Sequence, residues 1–514
     1  MTTKLNTLSK SVGDGDKYAA DLDQALNVVG LGIYNIKYCF VLGLFLVAAI
    51  VEPVGYSYLL PASKCDLEMT DSQRGFIASM PYIGVVLTSF PWGYLVDTRG
   101  RKPILIISAL AAGTLGIAAA FMPELISFTT CKFLCSICLA CPAAVPYTYI
   151  GEILPQRYRD ITLSVTNSMQ ILGSALVPLF AWAILPADFS TDFGAYNFRP
   201  WRLLCVVYSS LFILTACLMM FGPESPKYLV SQGRHEEALR VLQVMYASNK
   251  RKSPEDFPIK ALKVTESESK GKEKLGFLTS LRVQTVPLLK PPYLKWMMLN
   301  GFLLFGILNI LNGLAMWIPD VLNRVLSGSL EQMTACQVIG QRNNNNATIG
   351  AECNDRIDPI TFTVNSISSI ACAAIALIVS TSVKFIGKKI LLIAILLIIG
   401  VFCTMINVTT QPIVFAILLS TVPLAGLAIG PVNAYSVEIF PTQLRGMAVS
   451  LSMMIGRTGS IVGANVAGVM INAACEAMFY MFGGLLIFCS ACSFLLPNSQ
   501  RKPSRKKEPA MTHL

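Results

Sequence analysis

Glu152-Ile-Leu-Pro155-Gln-Arg-Tyr-Arg159 and Glu438-Ile-Phe-Pro441-Thr-Gln-Leu-Arg445 are two copies of one pattern: an acid, a proline three residues on, and an arginine four beyond the proline. The second copy begins 286 residues after the first (438 − 152). Gly100-Arg-Lys102 has a counterpart in Gly387-Lys-Lys389, at an offset of 287 (387 − 100). Two motifs repeating at nearly one offset indicate a duplicated unit of that length, and an internal period constrains the fold before any other feature does.

Most of the sequence between these motifs is apolar. Of 514 residues 54% are hydrophobic and only 14% are charged, and the mean hydropathy is +0.57. A soluble domain carries roughly a quarter charged residues, and runs of about twenty apolar residues are suited to lipid. Such runs fall near 38–60, 75–96, 104–122, 126–150, 161–185, 201–222, 294–318, 360–383, 390–406, 412–435, 446–472 and 477–496. The two Glu…Pro…Arg motifs follow the fourth and the tenth of them. Six spans return the chain to its starting side, so the two copies keep one orientation. Parallel repeats of this kind build transporter halves around a site near the midplane. The expected organisation is a polar segment 1–37, a six-helix half 38–222, a central loop 223–293 with short helices, a second half 294–496 and a basic tail 497–514. Residues 1–37 contain no signal-peptide core, so the first run is expected to stay as a span.

The formal net charge of +11 alone could suggest nucleic acid or an anionic membrane surface, but the basic residues sit in short loops and in the tail, where they act as topology determinants. Alternate loops hold Arg99, Arg101 and Lys102; Arg157 and Arg159; the 223–293 stretch; Lys384, Lys388 and Lys389; and Arg445. The opposite loops carry little beyond Lys64, Arg199 and three arginines in 319–359. This asymmetry predicts that both termini are cytoplasmic. The sequons Asn346-Ala-Thr348 and Asn407-Val-Thr409 fall in loops predicted to lie outside, as do Cys336 and Cys353, which could pair there. Glycan is expected on Asn346, and less on Asn407, which lies close to the membrane. The only histidines are His235 and His513, so no His-containing metal pattern exists, and neither a metal nor a cofactor is expected. Cys131, Cys135, Cys138 and Cys141 form a helical stripe of packing residues.

Two sets of polar residues carry the chemistry. At predicted cytoplasmic helix ends, Gly93, Asp97 and Arg101 are expected to form a gate network with Glu152, Arg159, Glu438 and Arg445. An acid at a helix end beside a neighbouring helix N-terminus and a cation can hold two helices together. Inside the spans, ionisable residues are costly and face a partner or a cavity. These are Glu52, Lys132 and Arg457, with Asn167, Gln170 and Ser174 on one face of the fifth span, Asn309 and Asn312 on the seventh, and Asn433 on the tenth. Interhelical hydrogen bonding is the plainer reading of the amides. Glu52 lies nine residues before Pro61 and Lys132 nine after Pro123, so both should sit at similar depth in the outer half.

Gly93-Tyr-Leu-Val-Asp97-Thr-Arg99-Gly100-Arg101-Lys102 resembles the signature of the major facilitator superfamily. Glu152…Pro155…Arg159, its second copy and Pro223-Glu-Ser-Pro-Lys resemble the sugar-porter and organic-ion branches. Leu60-Pro-Ala-Ser, Trp201-Arg, the Gly233-Arg-His-Glu-Glu-Ala-Leu stretch and Gly313-Leu-Ala-Met-Trp-Ile-Pro319 are similar to the synaptic vesicle glycoprotein 2-related branch. The resemblance covers roughly residues 38–496. It departs where a sugar porter's helix-seven Gln-Leu-Ser is absent, where Ala49 replaces an acid, and where no acid precedes Gly387.

The resemblance implies an all-α membrane protein of the major facilitator fold, about twelve helices in two pseudo-symmetric halves. It also implies that the first and fourth helices line a central cavity. The expected function is secondary active or facilitative transport of a small charged organic solute by alternating access, possible proton coupling falling to Glu52. The three intramembrane charges sum to +1, which favours an anion anchored by Arg457; a cation would instead compete with Lys132 for Glu52. No nucleotide-binding signature is present, and no enzymatic activity is expected. The alternative is a membrane protein that no longer transports and acts through partners. The partners expected are a small-molecule substrate and the bilayer of a plasma or vesicle membrane, not nucleic acid, with the monomer as working unit.

Overall fold

The computed structural model describes residues 19–262, 285–326, 333–340, 357–441 and 444–497, apart from 188, 195 and 335. Twelve helices are long and apolar enough to cross a membrane: Ile33–Ala62, Asp71–Arg99, Arg101–Ala119, Leu125–Ile153, Gln156–Ile184, Pro200–Met220, Leu294–Leu326, Pro359–Ala376, Lys388–Met405, Pro412–Ser436, Arg445–Ala473 and Cys475–Ser493. They are numbered here as spans 1 to 12. The loops rich in Lys and Arg mark one end of the bundle, the basic end; the other is the opposite end.

The repeated motifs have the same local cause in both halves. Gly100 joins spans 2 and 3 with φ of +108°, and Gly387 precedes span 9 with φ of +89°; this region favours glycine because a side chain is strained there. Leu154 and Phe440, each before a proline, are extended (φ −111°, ψ 143° and φ −92°, ψ 141°). The proline ring excludes the helical region for its predecessor, so it ends spans 4 and 10 at the same point of each repeat.

Span 7 is not a uniform helix. It runs as α-helix from Leu294 to Leu308, as a π-helix over Asn309–Leu314, as a 3₁₀ turn over Ala315–Trp317, and as α-helix again over Ile318–Leu326. Here its backbone meets span 11 directly: a Cβ on Gly463 would lie 2.2 Å from the Asn309 carbonyl oxygen. Span 11 also meets span 2, where a Cβ on Gly75 would lie 2.7 Å from the Ala464 carbonyl oxygen. Small residues allow this approach, and close packing replaces the hydrophobic effect as the cohesive force in lipid.

Apolar packing separates the two ends. One buried cluster lies wholly within the first half and its basic-end cap, around Leu42, Leu105, Tyr149 and Leu242. Another joins Tyr56, Leu60 and Ile77 of the first half to Leu314, Val321 and Ala464 of the second. Tyr58 stacks on Phe362 across the halves with ring centroids 5.7 Å apart. These cross-half contacts gather at the opposite end.

The basic end of the first half is capped by the expected amphipathic segment, which forms helix His235–Lys250. A further short helix, Leu22–Val29, comes from the N-terminal segment, where no helix is legible from hydropathy alone. Ala19–Ala20 pairs in parallel with Ala261–Leu262. Asn249 Nδ2 donates to Asn35 Oδ1 at 2.6 Å, and Asn35 Nδ2 donates to the Ile153 carbonyl at 2.9 Å. The cap is therefore bonded to the starts and ends of spans 1 and 4.

Candidate functional site

The intramembrane charges separate into two environments. Lys132 Nζ lies 2.7 Å from Glu52 Oε1, and both side chains are buried. Ser209 Oγ donates to Glu52 Oε2 at 3.5 Å, and the ammonium sits 5.2 Å from the centre of the Tyr56 ring. Cys135 donates to the Ala112 carbonyl at 3.2 Å beside the pair. Spans 1, 3, 4 and 6 thus enclose it inside the first half. Their partners come from spans 3 and 6 of the same half, so the faces of spans 1 and 4 that carry the pair are packed within that half.

Arg457, near the middle of span 11, has the opposite character. Its one hydrogen bond among the described residues is to Ser89 Oγ of span 2, at 3.3 Å and across the halves. Tyr82 is its electrostatic neighbour. Among the described residues no carboxylate lies within ion-pair distance of it, and its side chain is only partly buried. A guanidinium carries five N–H donors in a fixed fork, so most of this one's donors are open to a ligand.

The amides divide as well. Asn309 Nδ2 donates to the Gly459 carbonyl at 3.1 Å and Asn312 Nδ2 to Ser460 Oγ at 2.9 Å, so both join spans 7 and 11. Tyr147 Oη donates to Gln170 Oε1 at 2.6 Å and lies 3.3 Å from Asn167 Oδ1, leaving both amide nitrogens of span 5 uncommitted to that bond. Ser174 bonds within its own turn, to the Ile171 carbonyl. Asn433 has a buried Oδ1 with no partner and an Nδ2 3.8 Å from the Met453 sulfur.

At the basic end the pairs of Arg101 with Asp97 and Glu152, and of Lys388 with Glu438, lie within one half each. Arg101 binds both oxygens of Glu152 at 3.0 and 3.1 Å, lies 3.2 Å from Asp97, and stacks 5.0 Å from the Tyr228 ring centre. Glu224 accepts from the backbone N–H groups of Arg101 and Lys102, at 3.2 and 3.3 Å, and so caps span 3. Burial raises the Glu224 carboxyl above its ordinary range, and these N–H groups pull it back. Lys388 pairs with Glu438 in the second half. Arg159 does not join the acidic network: it bonds the Leu154 carbonyl at 3.3 Å and lies 3.6 Å from Asp23. Its repeat partner Arg445 does the same, donating to the Phe440 carbonyl at 3.1 Å. These arginines close the helix end before each proline instead of bridging to Glu152 and Glu438. Gly93 leaves open space where a side chain would lie.

A third cluster is absent from the sequence expectations. At the opposite end, Arg74 of span 2 lies 2.8 Å from Asp71 and 3.3 Å from Asp320. Arg324 of span 7 lies 3.0 Å from Asp71 and 2.8 Å from Asp320. Asn472 of span 11 donates to Asp71 at 2.6 Å, and Lys64 completes the ring at 3.3 Å. Asp71, Arg74, Asp320 and Arg324 are buried, and two of their ion pairs tie one half to the other. The hydropathy runs begin after Arg74 and end before Asp320, so these residues read as loop. The signal was the Asp71…Arg74 and Asp320…Arg324 spacing, three and four apart, which places each pair on one helix face.

Cys336 pairs with Cys475, with Cα atoms 5.5 Å apart, rather than with Cys353, which lies outside the described residues. The join between spans 11 and 12 sits beside residues 336–340, a proximity that sequence order hides. Cys65 is also disulfide-bonded. Asn346 lies outside the described residues. Asn407 is 9% exposed, and its Nδ2 donates to the Glu476 carbonyl at 2.9 Å. A glycan attaches through that nitrogen, and its burial in this conformation leaves little room for one at Asn407.

Twelve spans in two six-helix halves, joined at one end by buried ion pairs, are the architecture of the major facilitator fold. The family described as sugar (and other) transporter matches residues 35–319, and the major facilitator superfamily matches residues 346–514. The first match covers more than half of the sequence, and the chain belongs to that family. It is similar to synaptic vesicle glycoprotein 2C of Mus musculus, 29% identical over 245 residues, which are 47% of this chain and 34% of that protein. Synaptic vesicle glycoprotein 2A of Rattus norvegicus is 30% identical over 242 residues, 46% of this chain and 32% of that one. The matched stretch is about a third of the length of these relatives. The inward open structure of the xylose transporter XylE from E. coli superposes with a TM-score of 0.67 at 16% identity, covering 91% of this chain and 98% of that one. The nucleoside transporter NupG gives 0.57 at 12% identity, covering 89% and 99%. These two share the fold.

Proposed function

We propose that the protein moves a small organic anion across a membrane by alternating access, with its basic end in the cytoplasm and with Arg457 as the anchor for the substrate. The observation that carries this reading is the Arg457 guanidinium, set in the middle of a span with a single serine hydroxyl as partner. An intramembrane cation without a counter-ion is costly unless a ligand supplies the charge. Ser89 puts the site at the contact of spans 2 and 11, between the halves. The span 5 amides and Asn433 offer neutral hydrogen bonds to the rest of the solute. Enclosure of Glu52 with Lys132 argues against a cationic substrate, which would have to displace a buried ammonium. A coupling role fits the same enclosure: Glu52 is a carboxylate inside a span, balanced by Lys132 when ionised, and is the proton carrier in this reading.

Uptake of a panel of radiolabelled carboxylates and sulfonates into proteoliposomes, with and without a pH gradient, tests both parts. Arg457→Ala is expected to abolish anion uptake and Arg457→Lys to keep part of it, since lysine retains charge but not the planar fork. Glu52→Gln is expected to abolish accumulation driven by the gradient while sparing exchange. Undiminished anion uptake in Arg457→Ala overturns the anchor, and gradient-driven accumulation in Glu52→Gln overturns the coupling.

A further inference from the structure

A cavity of about 430 Å³ opens where the basic-end cap meets spans 2 and 3. Its walls carry Arg99, the last residue of span 2, and Arg234 and Arg240 of the cap, with Glu224, Glu237 and Tyr228 between them. The two acids are already engaged. Glu224 accepts from three backbone N–H groups, those of Arg101, Lys102 and Ser225. Glu237 takes two hydrogen bonds from Arg234, at 2.6 and 2.5 Å. Arg99 and Arg240 form no hydrogen bond and no ion pair with any described residue, and both are exposed. The cavity therefore presents two uncommitted guanidiniums over a wall that includes Pro103, Leu229 and Val241.

The surroundings are those of a membrane edge. Leu95, one turn before Arg99, is 36% exposed, and Ile107, one turn after Pro103, is 57% exposed. Phe221, at the adjoining end of span 6, is 82% exposed. Such apolar surface on a spanning helix faces acyl chains, and the arginines begin where it ends. Guanidinium groups match phosphate oxygens in pairs, and the cytoplasmic leaflet is rich in anionic lipid.

We propose that this cavity binds the headgroup of a polyanionic phospholipid of the phosphoinositide class, Arg99 and Arg240 gripping its phosphates while its chains lie along spans 3 and 6. The proposal rests on the cytoplasmic placement of the basic end. Because Glu224 both lines the cavity and caps span 3, a bound headgroup stiffens the Gly100 turn and the Arg101 network beside it.

Native mass spectrometry of the purified full-length protein, titrated with short-chain phosphatidylinositol bisphosphate or phosphatidylcholine, tests it independently of transport. Selective binding of the bisphosphate is expected, weakened about thirtyfold in Arg99→Ala/Arg240→Ala, which is about fivefold for each arginine removed. Lys290→Ala/Lys295→Ala, which removes the same charge elsewhere at the basic end, should bind as wild type. Arg99→Lys/Arg240→Lys, a second variant that keeps the charge, should lie between. Equal binding by the alanine pair and the wild type overturns the site, and so does equal loss in the Lys290/Lys295 pair. Soluble inositol trisphosphate binding as tightly as the lipid overturns the assignment to a lipid. Protection of a C-terminal tag inside sealed cells would instead overturn none of the binding and is expected from the cytoplasmic placement; exposure of that tag outside overturns the lipid's access to the cavity.

Discussion

The two ends of the bundle use the same residue types in opposite ways. At the opposite end Asp71, Arg74, Asp320 and Arg324 form a buried ring in which Arg74–Asp320 and Arg324–Asp71 cross between the halves. At the basic end Arg101 holds Asp97 and Glu152, and Lys388 holds Glu438, each within its own half. An ion pair that crosses the halves must break when they rock apart; one within a half travels with it. On the alternating-access reading proposed above, the ring would act as a lock on the conformation seen here and the basic-end pairs as preassembled surfaces that meet in the reverse conformation. The repeat adds a second contrast. In the first half Glu152 is buried and Glu224 caps the Gly100 turn; in the second the Glu438 side chain is 51% exposed and Gly387 has open space around it.

The largest effect is expected at the ring. Removing one partner of a buried ion pair costs about 3–5 kcal/mol, enough to reverse a conformational equilibrium of a few kcal/mol. Asp71→Asn leaves Arg324 with Asp320 of its own helix and the Asn472 amide oxygen, and removes the charge that faces Lys64. Phe362→Cys, at the ring that stacks on Tyr58 when the halves are closed, reports the change. Its reaction with a membrane-impermeant thiol reagent is expected to rise strongly in the Asp71→Asn background. An unchanged rate would mean that the ring only packs and does not lock.

A middle-sized effect separates the two copies of the repeat. Glu152→Gln takes a charge from a buried, bidentate pair, a loss of about 1.5–3 kcal/mol. Glu438→Gln takes one from a half-exposed pair, a loss of about 0–1 kcal/mol. Thermal unfolding of the two variants in one detergent should therefore rank Glu152→Gln as the less stable. Equal midpoints would remove the asymmetry between the halves.

How much of this was legible depended on where the physics is local. Twelve spans, the duplication and the turn at Gly100 follow from hydropathy, one offset and a residue without a side chain. The depth argument for Glu52 and Lys132 put both in the outer half, and the structure places them 2.7 Å apart. The direction they face did not follow, because a uniformly apolar helix carries no pattern to tell its cavity side from its packed side. The lock escaped for the opposite reason. Asp71, Arg74, Asp320 and Arg324 interrupt the hydropathy at helix ends, so charge there reads as loop until the partner helix is known. Cys336 with Cys475 is a contact across 139 residues, and no spacing rule reaches that far.

The smallest effect belongs to Asp97, the acid that stood out most in the motif. Its side chain is 73% exposed and its pair with Arg101 spans a single helical turn, so in the conformation seen here it contributes about 0.2–1 kcal/mol. Its value lies in the reverse conformation, where the basic ends come together and an acid beside Arg101 helps to hold them. Asp97→Asn should then favour the present conformation by about two- to fivefold, the population equivalent of that energy. In a background of Phe362→Cys with Asp71→Asn, where the opposite end is already unlocked, thiol reactivity should fall back by the same factor when Asp97→Asn is added. The double background matters, because with the lock intact the reverse state is too scarce for a small shift to register. Reactivity that stays at the Asp71→Asn level would leave Asp97 as a residue that orders the loop and takes no part in the gate.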